Sequence, residues 1–135
     1  MVKPPVVADL TWIGELKFSA VSSHASMTLD SAGIAGPSPV QTLVFSLAGC
    51  MAMDVAYILT KGRYAARALK AHLTAERSPG EPHRLVSVTL HFTAEGDMPA
   101  DAVGRAIALS HEKYCSVWHS MRQDIAFSTT YEVRA

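Results

Sequence analysis

The sequence lacks any imbalance of charge. Its 135 residues include 12 Lys and Arg against 12 Asp and Glu, and only 18% are charged. Nucleic-acid binding depends on clustered cations that neutralise phosphates, so the absence of a basic stripe argues against that class of partner. The N-terminus lacks the basic and apolar regions of a signal peptide, and polar residues interrupt every stretch of the ~20 residues that a membrane span needs. We therefore expect a cytoplasmic protein with neither nucleic acid nor membrane as a partner.

Charged residues are scarce and apolar residues are abundant. Hydrophobic residues make up 49% of the chain. That fraction supplies the core of one domain, which we predict to span residues 1–135. It is high for a small monomer, and an excess of apolar surface is usually covered by a partner subunit. The composition therefore predicts a homo-oligomer.

Cysteine is also scarce, since the chain has only Cys50 and Cys115. A structural zinc site needs four ligands in short-range pairs, and neither cysteine has another nearby. His111 and His119 flank Cys115 at four positions on either side and would share its face on a continuous helix, but a fourth ligand is missing. Four interpretations stay open: a buried unreactive thiol, a disulfide staple, part of a metal site, or a redox pair in which one thiol attacks and the other resolves.

The first half of the chain predicts a β-meander followed by a helix. Three short segments that favour strands precede the AGPSP break. Ser38 can cap a helix whose first residue is Pro39. Apolar residues then recur at helical spacing from Val40 to about Thr60, before a stop at 61–63. This helix is apolar on most sides, so we expect it to be central and buried.

The second half predicts strands around another helix. Residues 69–74 and 86–92 alternate between apolar and polar, which favours a half-buried antiparallel pair. Pro99 opens a helix that runs toward Cys115, with a buried side that ends at Leu109 or Ser110. Residues 125–133 form a last strand. The order of elements predicts an α+β fold.

Three residues near the thiols carry chemical expectations. Gly49 sits inside the predicted helix, where glycine costs about 1 kcal/mol relative to alanine, so a facing helix or a ligand is expected to approach closely there. Asp54 lies one turn after Cys50 and should accept a hydrogen bond or form an ion pair. It would raise the pKa of a neighbouring thiol, so it is not the activating group. Lys113 and the two flanking histidines could stabilise a thiolate, although simple solvent exposure is the better explanation of Lys113.

Two segments carry a family resemblance. The stretch GPSPVQTLVFSLAGCMAMDVAYILTKGR resembles the signature of the OsmC/Ohr family, nearest its YhfA-like branch, and HEKYCSVWHSM resembles that family's second-cysteine segment. The likeness covers essentially the full chain. It implies an α+β fold in which two chains intertwine as an obligate homodimer. Antiparallel sheets would surround a long buried central helix that carries the first cysteine, and two active sites would lie at the interface.

The resemblance also implies a chemistry. Members of this family include thiol-dependent reductases of organic hydroperoxides that serve in oxidative-stress defence. Cys50 would attack the O–O bond and become a sulfenic acid, and Cys115 would resolve it as an intramolecular disulfide. An external dithiol, which is a lipoyl group in the Ohr branch, would restore both thiols. This chemistry requires neither a metal ion nor another cofactor.

The chain departs from the Ohr pattern at the activating charges. The Ohr branch holds its thiolate with an Arg from the N-terminal strands and a Glu just after the helix-opening Pro. Here Val40 and Gln41 follow that proline, and no Arg precedes Arg63. Lys17 is the nearest N-terminal cation, and we expect it to act as a point charge, without the planar fork of an Arg. Two other functions stay open: small-molecule binding without turnover, and another Cys-nucleophile transferase.

Overall fold

The computed structural model describes residues 2–135 and divides the chain into two compact units, the first ending at Leu43 and the second running over Val44–Ala135. Runs of strands are separated by helical segments, which confirms the α+β class. In chain order they are β1 Asp9–Gly14, β2 Lys17–Ser22, β3 Ala25–Asp30, α1 Pro39–Lys61, β4 Ala65–Arg77, β5 Leu85–Asp97, α2 Ala100–Leu109, a π-helical turn Ser110–Tyr114, α3 Ser116–His119 and β6 Ala126–Arg134.

The N-terminal unit contains the predicted meander. Strands β1, β2 and β3 pair antiparallel in chain order. The loop after β3 is organised by Asp30, the only buried residue between positions 2 and 43. Its carboxylate accepts hydrogen bonds from the backbone N–H groups of Ala35, Ala32 and Ile34. These bonds hold the pKa of Asp30 below its ordinary value, so the loop is stabilised by an ionised carboxylate.

Helix α1 begins and ends close to the predicted positions. The Ser38 hydroxyl accepts from the Gln41 N–H at 3.2 Å, and the Gln41 side-chain oxygen accepts from the Ser38 N–H at 2.9 Å. This reciprocal capping box fixes the start of the helix at Pro39. At the other end, Arg63 adopts a left-handed backbone with φ of 63°, which terminates the helix after Lys61.

The two sides of α1 differ in exposure. Leu47, Met51, Val55 and Leu59 recur every four residues and are buried. A second row at the same spacing contains Phe45, Gly49, Met53 and Tyr57; its three large side chains are 63%, 73% and 65% exposed. Within this chain, α1 is therefore buried on one side only, whereas the sequence predicted burial on most sides.

Helix α1 also has the length and composition of a membrane-spanning helix. Its 23 residues include an 18-residue window with a mean hydropathy of 1.8, of which 22% is buried. Polar residues such as Gln41, Ser46 and Asp54 do interrupt this helix as expected, but they do not lower its mean hydropathy below that of a membrane span. The core helix of a globular domain can have the same composition, and the buried row on α1 packs as such a helix does.

The C-terminal unit contains a mixed sheet in the order β4-β5-β6. The predicted antiparallel pair is confirmed as β4 and β5, but β6 runs parallel to β5. The prediction of purely antiparallel sheets is wrong here because the helical connection between β5 and β6 crosses back over the sheet and returns the chain in the same direction. Alternate residues of β5, Val88, Leu90, Phe92 and Ala94, are completely buried and form the centre of the core.

Candidate functional site

Helix α1 presents the first thiol near its middle. Cys50 is a free cysteine, half-buried, and lies between the buried and the exposed rows of the helix. The regular helix fixes its direction, since its neighbours at positions 47 and 51 are packed into the core. Cys50 therefore combines a rigid position with partial access to solvent.

The second thiol lies where a helix changes its winding. Helix α2 stops at Leu109, and the chain then makes a π turn in which the Cys115 N–H donates to the Ser110 carbonyl at 2.8 Å. Cys115 leaves the helical conformation, with ψ of 99°, and serves as the N-cap of α3. Its sulfur accepts from the Trp118 N–H at 3.4 Å. Single π turns are rare and often occur at functional sites.

The fold brings the two cysteines near each other, since the Cys50 side chain affects the ionisation of the Cys115 thiol although the two residues lie on different helical segments. Burial raises the pKa of the Cys115 thiol to about 11; the Trp118 N–H opposes this shift, and the Cys50 side chain adds to it. Cys115 is therefore a neutral thiol near pH 7, close to a half-exposed partner.

His111, Cys115 and His119 do not lie on one continuous helix, which a His–Cys–His metal site built at this spacing would require. The break at Cys115 separates the two histidines into different elements, and the His119 ring nitrogen lies 3.0 Å from the His111 carbonyl. The His111 ring stacks on Phe127 with a centroid distance of 4.8 Å. Among residues 2–135, no group of three or more His, Cys, Asp or Glu side chains could hold a metal ion.

Asp54 makes the predicted hydrogen bond, and its partner identifies a residue that the sequence left without a role. The Ser110 hydroxyl donates to the Asp54 carboxylate at 2.7 Å. Ser110 is completely buried at the first position of the π turn. The sequence marks it only as a possible end of the buried side of α2, because no local pattern reveals a contact with a residue 56 positions away.

Lys17 lies in the N-terminal unit, at the start of β2. Its ammonium donates to the Glu15 carboxylate at 2.7 Å, and its side chain is 33% exposed. This hydrogen bond and the charge of Glu15 raise the pKa of Lys17, and Asp30 adds to the effect, so the residue is cationic at neutral pH. Lys113 is exposed, with its ammonium 5.3 Å from the centre of the Tyr114 ring. The activating role of Lys17 toward Cys50 stays a prediction.

A cavity of about 720 Å³ lies within the C-terminal unit, between the second half of α1 and the end of α2. Asp54 lines it one helical turn after Cys50, and Tyr114 lines it immediately before Cys115. The other lining residues are Tyr57, Ile58, Lys61, Gly62 and Leu109. The residues around the cavity are therefore mostly apolar, with one cation and one carboxylate.

The family of the chain follows from sequence comparison. A profile described as "OsmC-like protein" matches residues 30–130, a range that includes both cysteines. The chain belongs to the OsmC-like family. Protein YhfA of Escherichia coli strain K12 is 36% identical over 130 residues, which cover 96% of this chain and 94% of YhfA. The resemblance carried by the two cysteine segments is thus confirmed.

Solved structures of similar chains have the same fold. A hypothetical protein from Aquifex aeolicus VF5 superposes with a TM-score of 0.90 at 26% identity, covering 98% of both chains. A protein from Legionella pneumophila, described as an organic hydroperoxide resistance protein OsmC, superposes with a TM-score of 0.73 at 13% identity, covering 98% of this chain and all of that one. At such low identity the second likeness establishes the fold alone.

Proposed function

We propose that this OsmC-like protein is a thiol-dependent reductase of organic hydroperoxides that uses Cys50 as the attacking thiol and Cys115 as the resolving thiol. One observation carries the proposal: two free thiols from distant parts of the chain lie near enough for Cys50 to raise the pKa of Cys115, and Cys50 has solvent access whereas Cys115 is buried. A buried neutral thiol beside an accessible one is the arrangement that a two-cysteine peroxidase requires.

The chemistry balances as two steps. The Cys50 thiolate attacks one oxygen of the hydroperoxide and the O–O bond breaks; the products are Cys50 sulfenic acid and an alkoxide, which takes up the proton released when the thiol ionised and becomes an alcohol. Cys115 then attacks the Cys50 sulfur, and the disulfide forms as water leaves with the Cys115 proton. An external dithiol, such as a lipoyl group, reduces the disulfide by exchange and becomes oxidised itself.

The names of related proteins agree with this assignment. Several solved structures with this fold are described as organic hydroperoxide resistance proteins, including those from Legionella pneumophila and Elizabethkingia anophelis. We propose the same role in oxidative-stress defence for this chain. Reduced thiols are the resting state of cysteines in the cytoplasm, which is the compartment that we propose.

We further propose that Lys17 supplies the positive charge for the Cys50 thiolate. Its N-terminal strand position is the region from which the Ohr branch takes its arginine, and its raised pKa keeps it cationic. Lys17 forms an ion pair with Glu15 in the β1–β2 turn, so a carboxylate lies beside the cation even though the first turn of α1 contains none. This pairing resembles the Arg–Glu pair in charge but not in geometry.

We also propose an obligate homodimer in which the exposed row of α1 is covered by the second copy. The row consists of Phe45, Gly49, Met53 and Tyr57 and lies opposite the buried row. Apart from its own helix and neighbours, no described atom lies within 4 Å of where a Gly49 β-carbon would be, so the predicted close approach is not made within the chain. A facing helix from a second copy would use that gap.

Titration of the reduced protein with cumene hydroperoxide tests the enzymatic proposal. One equivalent should remove both free thiols, because each peroxide oxidises two cysteines, and the product should migrate as a monomer on non-reducing denaturing gels. Free thiols are counted with a chromogenic disulfide, and the oxidised species are identified by intact mass. A protein that keeps both thiols would overturn the proposal, and an acyl adduct on Cys50 with a thioester substrate would favour a transferase.

Sedimentation of the protein at low micromolar concentration tests the dimer. Obligate interfaces bury more than about 2,000 Å², so a dimer that shares its core should not dissociate in this range. A folded monomer at that concentration would contradict the proposal.

A further inference from the structure

A hydrogen bond connects the helix that carries Cys50 to the turn that carries Cys115. Asp54 lies one turn after Cys50 on α1, and its carboxylate accepts from the Ser110 hydroxyl at 2.7 Å. A hydrogen bond to an ionised carboxylate is stronger than a neutral one, and burial of Ser110 limits competition from water. The contact therefore fixes the π turn against α1 close to the two thiols.

Ser110 is also hydrogen-bonded directly to the backbone of Cys115. The Ser110 carbonyl accepts the Cys115 N–H at 2.8 Å, which is the hydrogen bond that closes the π turn. The Ser110 N–H donates to Ala106 and Ile107 at the end of α2. Only one residue thus separates the Asp54 carboxylate from the backbone of Cys115, and every polar group of that residue is bonded.

Apart from the nearby Cys50 side chain, the other groups bonded to Cys115 do not connect it to α1. Its sulfur and its carbonyl are bonded to Trp118 and His119 in the following short helix. Trp118 packs on Phe127 of β6 with a centroid distance of 4.6 Å. These contacts fix Cys115 relative to the sheet, whereas the Asp54–Ser110 bond fixes it relative to the helix of its partner thiol.

We propose that the Asp54–Ser110 pair positions Cys115 for disulfide formation with Cys50, and so controls the resolving step rather than the attack on peroxide. This inference rests on the proposed two-cysteine function. Disulfide formation requires two β-carbons within about 4.5 Å in a narrow range of orientations, so a small shift of the π turn slows closure. Attack on peroxide depends on Cys50 and the charge that activates it, and involves neither the π turn nor Cys115.

The test measures the two steps separately in Ser110→Ala. Reduced protein is mixed with excess cumene hydroperoxide and quenched with acid at intervals, and intact mass distinguishes the thiol, sulfenic acid and disulfide forms. We expect closure to slow by about ten-fold or more, because a hydrogen bond to a charged group is lost, while the second-order rate of attack changes less than about two-fold. Sulfenic acid should accumulate, and over-oxidation should follow.

Three further variants make the result specific. Asp54→Ala removes the same bond from the other side and should slow closure equally, whereas Asp54→Asn keeps an acceptor and should restore part of the rate. Ser120→Ala is the matched control, since the Ser120 hydroxyl donates to Ser116 within the segment after Cys115 and does not reach α1. If Ser110→Ala fails to fold, the two variants Asp54→Ala and Asp54→Asn provide the test. Closure at the wild-type rate in folded Ser110→Ala and Asp54→Ala would overturn the proposal.

A peroxide-independent measurement separates this proposal from the proposed function. The dithiol–disulfide equilibrium of each protein is measured in glutathione redox buffers. A mispositioned Cys115 should make the disulfide about ten-fold less favourable in Ser110→Ala, whatever oxidant the protein uses in the cell. If the wild-type protein does not react with peroxide but the disulfide equilibrium of Ser110→Ala is shifted, only the peroxidase proposal is refuted. An unchanged equilibrium with unchanged closure would refute only the positioning role.

Discussion

The segment around Cys50 and the segment around Cys115 differ in backbone, exposure and contacts. Cys50 lies in the middle of a regular 23-residue helix and is half-buried. Cys115 lies at a break between a π turn and a four-residue helix and is completely buried. Burial raises its pKa to about 11.

The contrast explains how one pair of thiols can divide a reaction. An attacking thiol must meet a substrate from solvent, so it benefits from a rigid helix and an accessible side. A resolving thiol meets only a sulfur of the same chain, so it can be buried. An irregular backbone suits it, because closure needs a local adjustment that a regular helix resists.

Serine substitution of each cysteine gives the largest expected difference between the two segments. Cys50→Ser should lower the rate of peroxide consumption by at least about a hundred-fold, because the attacking sulfur is absent. Cys115→Ser should keep one attack, accumulate sulfenic acid and then over-oxidise. Intact mass after peroxide addition checks both outcomes. Equal loss of the attack step in the two variants would contradict the assignment of Cys50 as the attacking thiol and Cys115 as the resolving thiol.

The pH dependence of disulfide closure should reveal the buried character of Cys115. Its pKa of about 11 leaves little thiolate at pH 7, and this fraction grows as pH rises. Because the thiolate attacks, closure should accelerate by about ten-fold per pH unit between pH 7 and 9. Rapid-quench mass spectrometry of wild-type protein measures this. A flat profile would show that Cys115 is already ionised, despite its burial.

Removal of the Lys17 charge should affect the Cys50 segment alone. Lys17→Met keeps most of the side-chain volume, and we expect the attack rate at pH 7 to fall by about ten-fold, equivalent to about 1.4 kcal/mol. Closure in the same variant should keep its wild-type rate. Lys113→Met is the matched control from the Cys115 segment and should leave attack unchanged. The opposite pattern would transfer the activating role to Lys113.

Gly49→Ala gives the smallest expected effect, and its sign decides whether α1 is shared with a second copy. In an isolated chain, the substitution should stabilise the helix by about 1 kcal/mol, since the site has room for a β-carbon. If a second helix packs there, the methyl group should instead weaken association by a similar amount, which is the result that we expect. Sedimentation equilibrium and denaturant unfolding at two protein concentrations measure both effects. Greater stability with unchanged association would place Gly49 outside the interface.

Much of the fold could be predicted from local sequence patterns. The Ser38 cap with Pro39 and the apolar spacing after it place the start and end of α1, and the alternation along β5 identifies it as a strand. The direction of β6 could not be predicted in this way, because alternation along a strand is identical for parallel and antiparallel neighbours. The π turn was also missed, since its hydrogen bonds depend on contacts with α1 and the sheet.

The sequence by itself determined the α+β class and the two thiols, because these depend on periodicity and residue type along the chain, and the resemblance of its two cysteine segments indicated the family. Only the tertiary structure decided that the thiols lie near each other, that Cys115 is buried and neutral while Cys50 is half-exposed, and that Asp54 accepts a hydrogen bond from Ser110. These properties depend on which distant segments pack together. Burial, a pKa and a hydrogen bond across 56 positions arise only when the surroundings of a side chain are complete.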